Sequence, residues 1–369
     1  MRNSEGFRLR PEKLWDGESW KGGLVLLVKD GRIAALEPET PESPCPETPG
    51  WLMPGLIEAH CHTGLLEEAA PAGDDVNEMM DPVSPALMAL DGINPREPAF
   101  REALAEGITA VGVLPGSSCL LGGWGAALST FGDTLESRTL SSRCGMKSAL
   151  GENPKRDFGK AGRPPYTRMG SAYLLRKALE EGRSGVLEGL AGDSVRRLLA
   201  GAPWRVHAHR ADDLETALRI AGEYGLRLVI EHGTEAHLLT GLLKEAGVTV
   251  VAGPVLMSRA KEEMRGLTPS LPARLEAAGI PVALMTDAPE QPLSALRLMA
   301  ILARREGLSE RGALEAVTAV PADVLELPGR GRIRPGSVAD LALFDGDPLN
   351  VYSRVKKVWG NGELVYEDD

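Results

Sequence analysis

The sequence predicts an α/β protein built around a distorted (β/α)8 barrel. From about residue 100 onward, amphipathic helical segments alternate with short apolar segments typical of buried strands. Strands that are apolar along their whole length indicate a parallel sheet covered by helices on both faces. The polar residues of these strands lie at or near the carboxyl ends, which is the edge where α/β barrels place their active sites.

Chain length and strand number agree with this fold class. The 369 residues accommodate a barrel of ~250 residues and a smaller attachment. The strand count also leaves open a doubly wound sheet, although the position of the polar residues favours the barrel. The eight candidate strands begin near Gly55, Ile108, Ala126, Gly145, Trp204, Arg227, Val248 and Pro281.

Helices precede several of these strands. The segment AFREALAEG is predicted to be an amphipathic helix that ends at Gly107, directly before the strand at Ile108. The segment DDLETALRIAGEYG carries apolar residues on one face and is expected to end at Gly225. Either Asp212 or Asp213 is the expected N-cap of this second helix.

The two ends of the chain carry shorter strand signals. Residues 1–53 contain two strand patterns with a DG turn, followed by a Pro-rich linker, ETPESPCPETPGW. Residues 331–369 contain further strand patterns and an NG hairpin signal. We expect the two ends to pair as one small β-sandwich domain beside the barrel of residues 54–330.

Composition and charge argue against several classes of function. A net charge of −11 disfavours binding to nucleic acid, which needs clustered Lys and Arg, and to an anionic membrane. No apolar run reaches the ~18 residues of a membrane span, and the amino terminus has no signal-peptide pattern. The four cysteines form no CxxC pair. We therefore expect a cytoplasmic protein with reduced thiols, and the sequence leaves open a homo-oligomer.

The histidines indicate where the chemistry lies. Side chains alternate along a strand, so two histidines in the pattern HCH point to the same side while Cys61 points away. Two imidazoles at a strand end can chelate one divalent cation. Asp287 ends the last strand, VALMTD, where a carboxylate has no packing role, and we interpret it as a further ligand. The six histidines form three clusters, His60/His62, His207/His209 and His232/His237, and the first member or pair of each cluster ends a predicted strand.

These motifs resemble the amidohydrolase superfamily. The resemblance rests on PGLIEAHCH, TDAP and the tail IRPGSVADLALFDGDPL, together with the strand-end His207 and His232. The chain is most similar to the imidazolonepropionase-related group through DGINPREPAFREALAEGITAV, MKSALGENPKR and RVHAHRADD. The similarity runs from about Leu14 to Tyr366 and implies a metal-dependent hydrolase of carbon–nitrogen bonds.

The resemblance also implies a ligand set for one or two divalent cations, with zinc favoured. Lys147 falls on the fourth strand, where binuclear members hold a carboxylated lysine that bridges two metals. A buried ammonium near two cations is costly, which favours the neutral amine that reacts with carbon dioxide. Alternatives are a lysine that reaches the barrel mouth and a mononuclear site without Lys147 and His232. The implied ligands are His60, His62, Lys147, His207, His232 and Asp287.

Two departures from the family pattern bear on the reaction. Ala288 follows Asp287 where relatives often have His, and the motif HAHR lacks the Glu that deaminase-type members use as a proton donor, which disfavours a deaminase. We expect Asp287 to take the proton of a metal-activated water and deliver it to the leaving amine. His209 is expected to polarise the carbonyl or bind the developing oxyanion. The candidate substrate-binding residues are Glu152, Arg168 and Arg210.

The expected reaction is hydrolysis of an amide or cyclic-amide bond in a small molecule. One alternative is a prolidase-like metallopeptidase that acts on dipeptides or carboxyl-terminal residues. Another is a barrel that has lost catalysis and serves as an assembly subunit. That last hypothesis predicts missing ligands, whereas every ligand position carries a competent residue. The loops at residues 65–100 and 151–170 do not name the substrate.

Overall fold

A computed structural model describes residues 6–40, 45–68 and 74–368 of the chain. The strands are β1 (Phe7–Trp15), β2 (Trp20–Lys21), β3 (Leu24–Lys29), β4 (Arg32–Pro38), β5 (Glu47–Pro54), β6 (Leu56–Cys61), β7 (Ile108–Val113), β8 (Gly123–Ser129), β9 (Thr139–Ala149), β10 (Pro203–Ala208), β11 (Arg227–His232), β12 (Thr249–Ala252), β13 (Val282–Leu284), β14 (Leu341–Phe344), β15 (Val355–Gly360) and β16 (Glu363–Glu367). The helices are α1 (Pro98–Ala105), α2 (Leu135–Arg138), α3 (Glu152–Lys160), α4 (Arg168–Ser184), α5 (Gly189–Leu199), α6 (Ala211–Tyr224), α7 (Thr240–Glu245), α8 (Leu271–Ala277), α9 (Leu296–Arg305), α10 (Glu310–Glu315) and α11 (Ala319–Val324).

Eight strands form the sheet of the barrel, in the order β13-β12-β11-β10-β9-β8-β7-β6. All eight segments expected from the sequence are strands of this sheet. The neighbours from β9 to β13 pair in parallel, and so do β6 and β7. Helices α6, α7 and α8 connect the successive strands from β10 to β13. The distorted barrel predicted from the alternation of helices and strands is therefore confirmed.

The sheet is not parallel throughout, which corrects the expectation from the sequence. Strand β8 runs antiparallel to both β7 and β9. Residues 114–122 and 130–138 join these strands with no helix longer than the single turn α2. A parallel pairing requires a crossover of about a dozen residues or more, usually with a helix. The short connections therefore impose the antiparallel strand and distort the barrel at this point.

The barrel is closed between β6 and β13 by the segment that follows α10. The carbonyls of Ala316 and Val317 accept hydrogen bonds of 2.8 Å from the amides of Leu284 in β13 and Ile57 in β6, respectively. Within the described ranges, no ladder joins these two strands directly. The carboxyl ends of the first and last barrel strands meet directly beyond this segment, where the amide of His62 donates to the carbonyl of Ala288 at 2.8 Å.

Strands from both chain ends form the second sheet, in the order β16-β15-β14-β5-β1-β3-β4, with β2 paired to β1. The first half of β1 pairs with β3 and the second half with β5. Apolar side chains from the two halves of this sheet share one core, which includes Leu26 of β3, Leu52 of β5 and Trp359 of β15. The pairing of the two ends in a small β-sandwich is thus confirmed, with β1 continuous through both layers.

Two local expectations were wrong. Residues 47–51 of the expected Pro-rich linker belong to β5, because they pair with β1 and lead into the apolar WLMP; residues 41–44 of that linker lie outside the described part. Helix α6 has Arg210 at its N-cap, because the carboxylates of Asp212 and Asp213 bind Arg210 and Arg168. The predicted end of α6 at Gly225, in a left-handed conformation, is confirmed.

All four cysteines are buried and none forms a disulfide, as expected for reduced thiols. Cys61 packs in the apolar core with Phe100 of α1, away from the two histidines that flank it in sequence. Over the ranges that the structure describes, no helix combines the length and apolar character needed to cross a membrane.

Deleting residues 1–45 is expected to make the protein aggregate. The deletion removes β1 to β4, so that β5 becomes an edge strand and Leu52 and Leu341 lose the side chains that cover them. Long exposed edges and apolar faces promote association between chains. Light scattering and thermal denaturation beside the full-length chain measure the effect. A soluble truncation with an unaltered melting temperature would show that the two chain ends do not depend on each other.

Candidate active site

The first group of candidate ligands lies where β6 and β13 meet. His60 is the penultimate residue of β6, His62 directly follows the strand, and Asp287 lies three residues beyond β13. The Oδ1 atom of Asp287 is 3.4 Å from Nε2 of His60 and 3.3 Å from Nε2 of His62. The Nδ1 atom of His62 contacts the carbonyl of Leu114 at 2.7 Å. This contact orients the ring so that Nε2 points towards the carboxylate.

The second group consists of His207 in β10, His209 directly after β10, and His232 at the end of β11. The three ring centroids lie 4.5–4.7 Å apart. The Nδ1 atom of His209 bonds the hydroxyl of Thr234 at 2.7 Å, and Nδ1 of His232 bonds the carbonyl of Gly253 at 3.0 Å. The Gly253 carbonyl can only accept, so it selects the His232 tautomer in which Nε2 is a free electron-pair donor. The Thr234 hydroxyl engages Nδ1 of His209 and leaves Nε2 of that ring without a hydrogen bond from the described residues.

Left-handed backbone conformations turn two of the ligands into the site. Plain alternation along β11 would direct His232 outwards with Ile230, since Glu231 points inwards. Instead, His232 has a φ of 68°, and Asp287 has a φ of 54°. Such a conformation costs a residue other than glycine about 1–3 kcal/mol and is concentrated at functional sites. The backbone is therefore strained where two candidate ligands enter the site.

Asp287 connects the two groups. Its Oδ2 atom is 4.0 Å from Nε2 of His232, while Oδ1 faces the first group. Oδ1 is buried and has no hydrogen-bond partner among the described residues. Burial alone would raise the pKa of this carboxyl, but the imidazoles of His62, His232 and His60 hold the pKa of Asp287 far below its usual value. Asp287 is therefore an ionised carboxylate that faces histidines from both groups.

Lys147 lies in β9 between the two groups and its side chain is 1% exposed. Its Nζ atom is 3.4 Å from Nε2 of His60, and no carboxylate within the described ranges lies within 4 Å of it. Burial lowers the pKa of Lys147 to about 8. The lysine is buried in the site and does not extend to the barrel mouth.

A buried ion pair between Arg205 and Glu231, which the sequence did not reveal, positions the imidazole of His60. The Glu231 carboxylate accepts a hydrogen bond from Arg205, and its other oxygen lies 2.7 Å from Nδ1 of His60. Burial opposes the charge, but Arg205 and His60 lower the pKa of Glu231 to about 2. Charged residues within otherwise apolar strands, WRVHAH and RLVIEH, were the sequence signal for this pair. The Glu231 carboxylate accepts a hydrogen bond from the proton-bearing Nδ1 of His60. The Nε2 atom, which faces Asp287, is therefore left with its electron pair.

Four of the site histidines, His60, His207, His209 and His232, are neutral near pH 7. Burial, assisted by the Lys147 charge, lowers the pKa of His60 to about 4. Burial also lowers the pKa of His209 to about 4. For His207 and His232, burial and the neighbouring imidazoles lower the pKa well below the ordinary value. Neutral imidazole is the form that binds metals, so these four rings are ready to bind a cation near pH 7.

The residues present fit a divalent cation. Two atoms bound to one zinc at ~2.0–2.2 Å lie roughly 3.3–3.6 Å apart in tetrahedral geometry, which matches the distances from Asp287 to His60 and His62. The unpartnered Oδ1 of Asp287 and the free Nε2 atoms provide the donors. The sets able to hold a metal ion within the described residues are His60, His62 and Asp287, and His207, His209 and His232.

The candidate substrate-binding residues lie in the loops and helix ends around β10. Glu152 is the first residue of α3. The guanidinium of Arg168 is bound by Asp213 through Nε and Nη2, both at 2.9 Å. Arg210 pairs with Asp212 at 2.9 and 3.1 Å. Both arginines therefore have a carboxylate partner in the structure.

Two further polar residues beside His207 complete this side of the site. The amide nitrogen of Asn153 lies 3.4 Å from Nε2 of His207 and donates to Ser117 at 2.6 Å. Glu263 is fully buried, with Oε1 3.7 Å from Nε2 of His207. Nothing in the segment AKEEMRG distinguishes Glu263 from an exposed acid, so the sequence did not identify it.

Comparison with known proteins agrees with the fold. Residues 199–366 match the sequence profile of the amidohydrolase family. An amidohydrolase from Thermotoga maritima MSB8 is 35% identical and has a TM-score of 0.93, with 98% of this chain and 100% of that chain covered. Amidohydrolase tasK of Hapsidospora irregularis is 28% identical over 95% of this chain, which spans 41% of that relative's length. An imidazolonepropionase of Cereibacter sphaeroides is 28% identical over 92% of each chain.

A barrel whose strand ends carry two histidine-rich groups able to hold a cation defines a class of hydrolytic enzymes. The chain belongs to the amidohydrolase superfamily, in its imidazolonepropionase-related group, and is a hydrolase that acts on carbon–nitrogen bonds. The resemblance noted from the sequence motifs is thereby confirmed.

Proposed function

We propose that the protein is a zinc-dependent hydrolase that cleaves the amide or cyclic-amide bond of a small molecule. The observation that carries this proposal is the position of Asp287. Its two carboxylate oxygens face Nε2 atoms of both histidine groups, at 3.3–4.0 Å. An ionised carboxylate placed between two such groups serves as a ligand and as an acceptor for a proton of the attacking water.

The ligands in this proposal are those expected from the sequence: His60, His62, Lys147, His207, His232 and Asp287. A bound divalent cation would supply Lewis acidity, which lowers the pKa of water from ~16 towards ~7. Asp287 then accepts a proton from the water as it attacks the carbonyl carbon. The same carboxyl group returns the proton to the nitrogen that leaves, so that the carboxylate is restored at the end of the cycle.

The remaining polar groups hold the substrate. The Nη1 atom of Arg168 is not used by Asp213, and we assign it to a carboxylate or carbonyl of the substrate. Glu152 and Arg210 lie at the ends of helices that follow barrel strands, and we assign them to the polar atoms beyond the scissile bond. His209 belongs to the set of three histidines able to hold a metal ion, and its Nδ1 is engaged by Thr234 on the side away from that set. The geometry therefore favours His209 as a ligand.

Hydrolysis assays with a substrate panel test the proposed function. Metal-free and zinc-loaded protein would be compared on hydantoins, lactams, N-acyl amino acids and dipeptides. We expect cleavage of a non-peptide amide or a cyclic amide by the zinc-loaded protein and its loss on chelation. Turnover that survives complete removal of metal would contradict metal dependence. Cleavage confined to dipeptides would instead support the prolidase-like alternative.

Replacing Lys147 by Ala tests whether this residue is carboxylated and bridges two cations. Its buried amine 3.4 Å from His60 and its pKa of about 8 favour reaction with carbon dioxide, and a carbamate supplies two oxygen ligands. We expect wild-type protein to hold two metals per chain and the variant no more than one. Turnover should fall ~10²-fold and recover partly with added formate or acetate, which replace the missing oxygens. Elemental analysis and activity assays measure both effects.

The control for this variant is Lys160→Ala on the exposed face of α3, which should leave metal content unchanged. One metal per wild-type chain, together with an unmodified Lys147 side chain in a crystal structure, would contradict the bridge.

A further inference from the structure

Glu263 is a buried acid that the proposed mechanism does not use. It lies in the helical turn Glu262–Met264 between β12 and α8, and its side chain is fully buried. Its neighbour Glu262 is exposed and pairs with Arg265 at 3.2 Å. A buried carboxylate is stable only where hydrogen-bond donors or a cation replace the water that it loses. The partners of Glu263 therefore indicate its role.

The protein satisfies only one of the two carboxylate oxygens. Oε2 accepts the backbone N–H of Glu152 at 2.9 Å. Oε1 is buried without a hydrogen-bond partner, and in the described ranges no Lys or Arg nitrogen lies within 4 Å of the carboxylate. Instead, Oε1 faces Nε2 of His207 at 3.7 Å and Nε2 of His209 at 3.9 Å. The unpartnered oxygen is thus directed into the second histidine group.

The histidines of that group also present unpartnered atoms. Thr234 and the carbonyl of Gly253 engage Nδ1 of His209 and His232, and both Nε2 atoms lack a hydrogen-bond partner among the described residues. The three histidines can place one ligand atom each within 4.8 Å of the others. The separations from Oε1 exceed those around a tetrahedral zinc by only a few tenths of an ångström.

We propose that Oε1 of Glu263 is the fourth protein ligand of a divalent cation held by His207, His209 and His232. The inference rests on the proposed metal-dependent function and adds a ligand which that function does not require. Three imidazole nitrogens and one carboxylate oxygen form a donor set that zinc accepts. The cation supplies the positive charge that the buried carboxylate otherwise lacks.

A four-ligand site makes the second group independent of the first. His207, His209, His232 and Glu263 complete a coordination shell without Lys147 or Asp287. The second group should therefore keep its cation when the first group is disabled. This behaviour distinguishes the proposal from a site in which Glu263 only accepts the hydrogen bond of Glu152.

Cobalt binding in a background that disables the first group tests the proposal. Metal-free full-length protein with His62→Asn would be titrated with Co²⁺ in competition with a chromophoric chelator, and the visible absorption of Co²⁺ would be recorded. We expect one Co²⁺ per chain. Adding Glu263→Gln, which keeps the size and the acceptor for Glu152, should weaken this binding by ~10²-fold or more, since even residues beyond the ligands contribute 10–100-fold. The matched control Glu262→Gln removes the same charge one residue away and should leave the affinity unchanged.

A second variant guards against a folding defect. Glu263→Ala in the same background should lose Co²⁺ binding and regain part of it with added formate, which replaces the carboxylate. Circular dichroism of the metal-free variants checks the fold. Unchanged Co²⁺ affinity in Glu263→Gln, with or without a lower melting temperature, would overturn the inference alone. Wild-type protein that binds no divalent metal would overturn the proposed function as well.

Discussion

Replacing Asp287 by Asn is expected to lower kcat by ~10²-fold or more, the scale of a lost general acid–base catalyst. The amide has nearly the size of the carboxylate, so the packing around residue 287 should survive. It is neutral, however, and cannot accept the proton of the attacking water. It also places a weaker ligand 3.3–3.4 Å from the nitrogens of His60 and His62. Steady-state kinetics on the substrate identified by the panel measure the loss.

Two measurements separate loss of the base from loss of metal. Assays at saturating Zn²⁺ and elemental analysis of the same sample show whether the variant still binds its metals. Asp193→Asn on the exposed surface of α5, where the carboxylate pairs with Arg196, serves as the matched control and should retain full activity. Near-normal turnover in the Asp287 variant would remove this residue from the mechanism.

The part of the site that follows from strand geometry could be predicted. His60 and His62 share one face of β6 because side chains alternate along a strand. Parallel strands bring their carboxyl ends to one edge, so His207 and Asp287 were expected to lie near that pair. Asp287 joins the pair directly, whereas His207 belongs to the second group, whose His232 ring lies 5.7 Å from that of His60. Patterns with a period of two residues and short apolar segments are local properties, which is why the sequence reveals them.

The remainder depends on contacts between distant segments. Glu263 reaches the site from an irregular segment whose path no periodicity describes. His232 has the wrong parity for the interior of β11 and enters the site only through its left-handed backbone. The antiparallel orientation of β8 results from the short connections on either side of it. The apolar sequence of a strand does not indicate whether the strand runs parallel or antiparallel to its neighbours. Such features require the tertiary structure.

The charged residues inside the barrel illustrate a signal that was present but not used. Arg205 and Glu231 occupy interior positions of β10 and β11. Apart from the site histidines and the exposed Arg227, the remaining residues of these two strands are apolar. Charges at such positions are expensive unless they are paired. Their presence therefore indicates a buried pair, although the sequence alone does not identify the partners or connect the pair to His60.

Replacing Arg205 by Met is expected to destabilise the metal-free protein by about 3–5 kcal/mol at pH 7, the usual cost of removing one partner from a buried ion pair. Arg205 is fully buried and donates to Glu231 and, at 2.9 Å, to the carbonyl of Ala59. Met is slightly smaller than Arg, so the substitution leaves only a small void. The substitution leaves the Glu231 carboxylate buried beside His60 without its cation. Denaturant titrations of both proteins measure the change.

The pH dependence identifies the cause of this loss. In the wild type, the pKa of Glu231 is about 2, below its ordinary value of 4.5, so the pair stabilises the fold above about pH 4.5 and loses that effect as pH falls towards 2. Without Arg205, burial should raise the pKa of Glu231 above its ordinary value, and protonation then relieves the unpaired charge. The difference between the two proteins should accordingly be large at pH 7 and shrink as pH falls below that raised pKa.

Two further variants complete the test. The double variant Arg205→Met with Glu231→Gln removes both charges and should recover a large part of the stability, since no charge remains unpaired. Arg176→Met breaks an exposed ion pair with Glu223, at 2.6 Å, and should cost no more than about 1 kcal/mol at any pH. A loss in Arg205→Met that is equally large at acidic and neutral pH would mean that the void, and not the charge of Glu231, destabilises the barrel beneath His60.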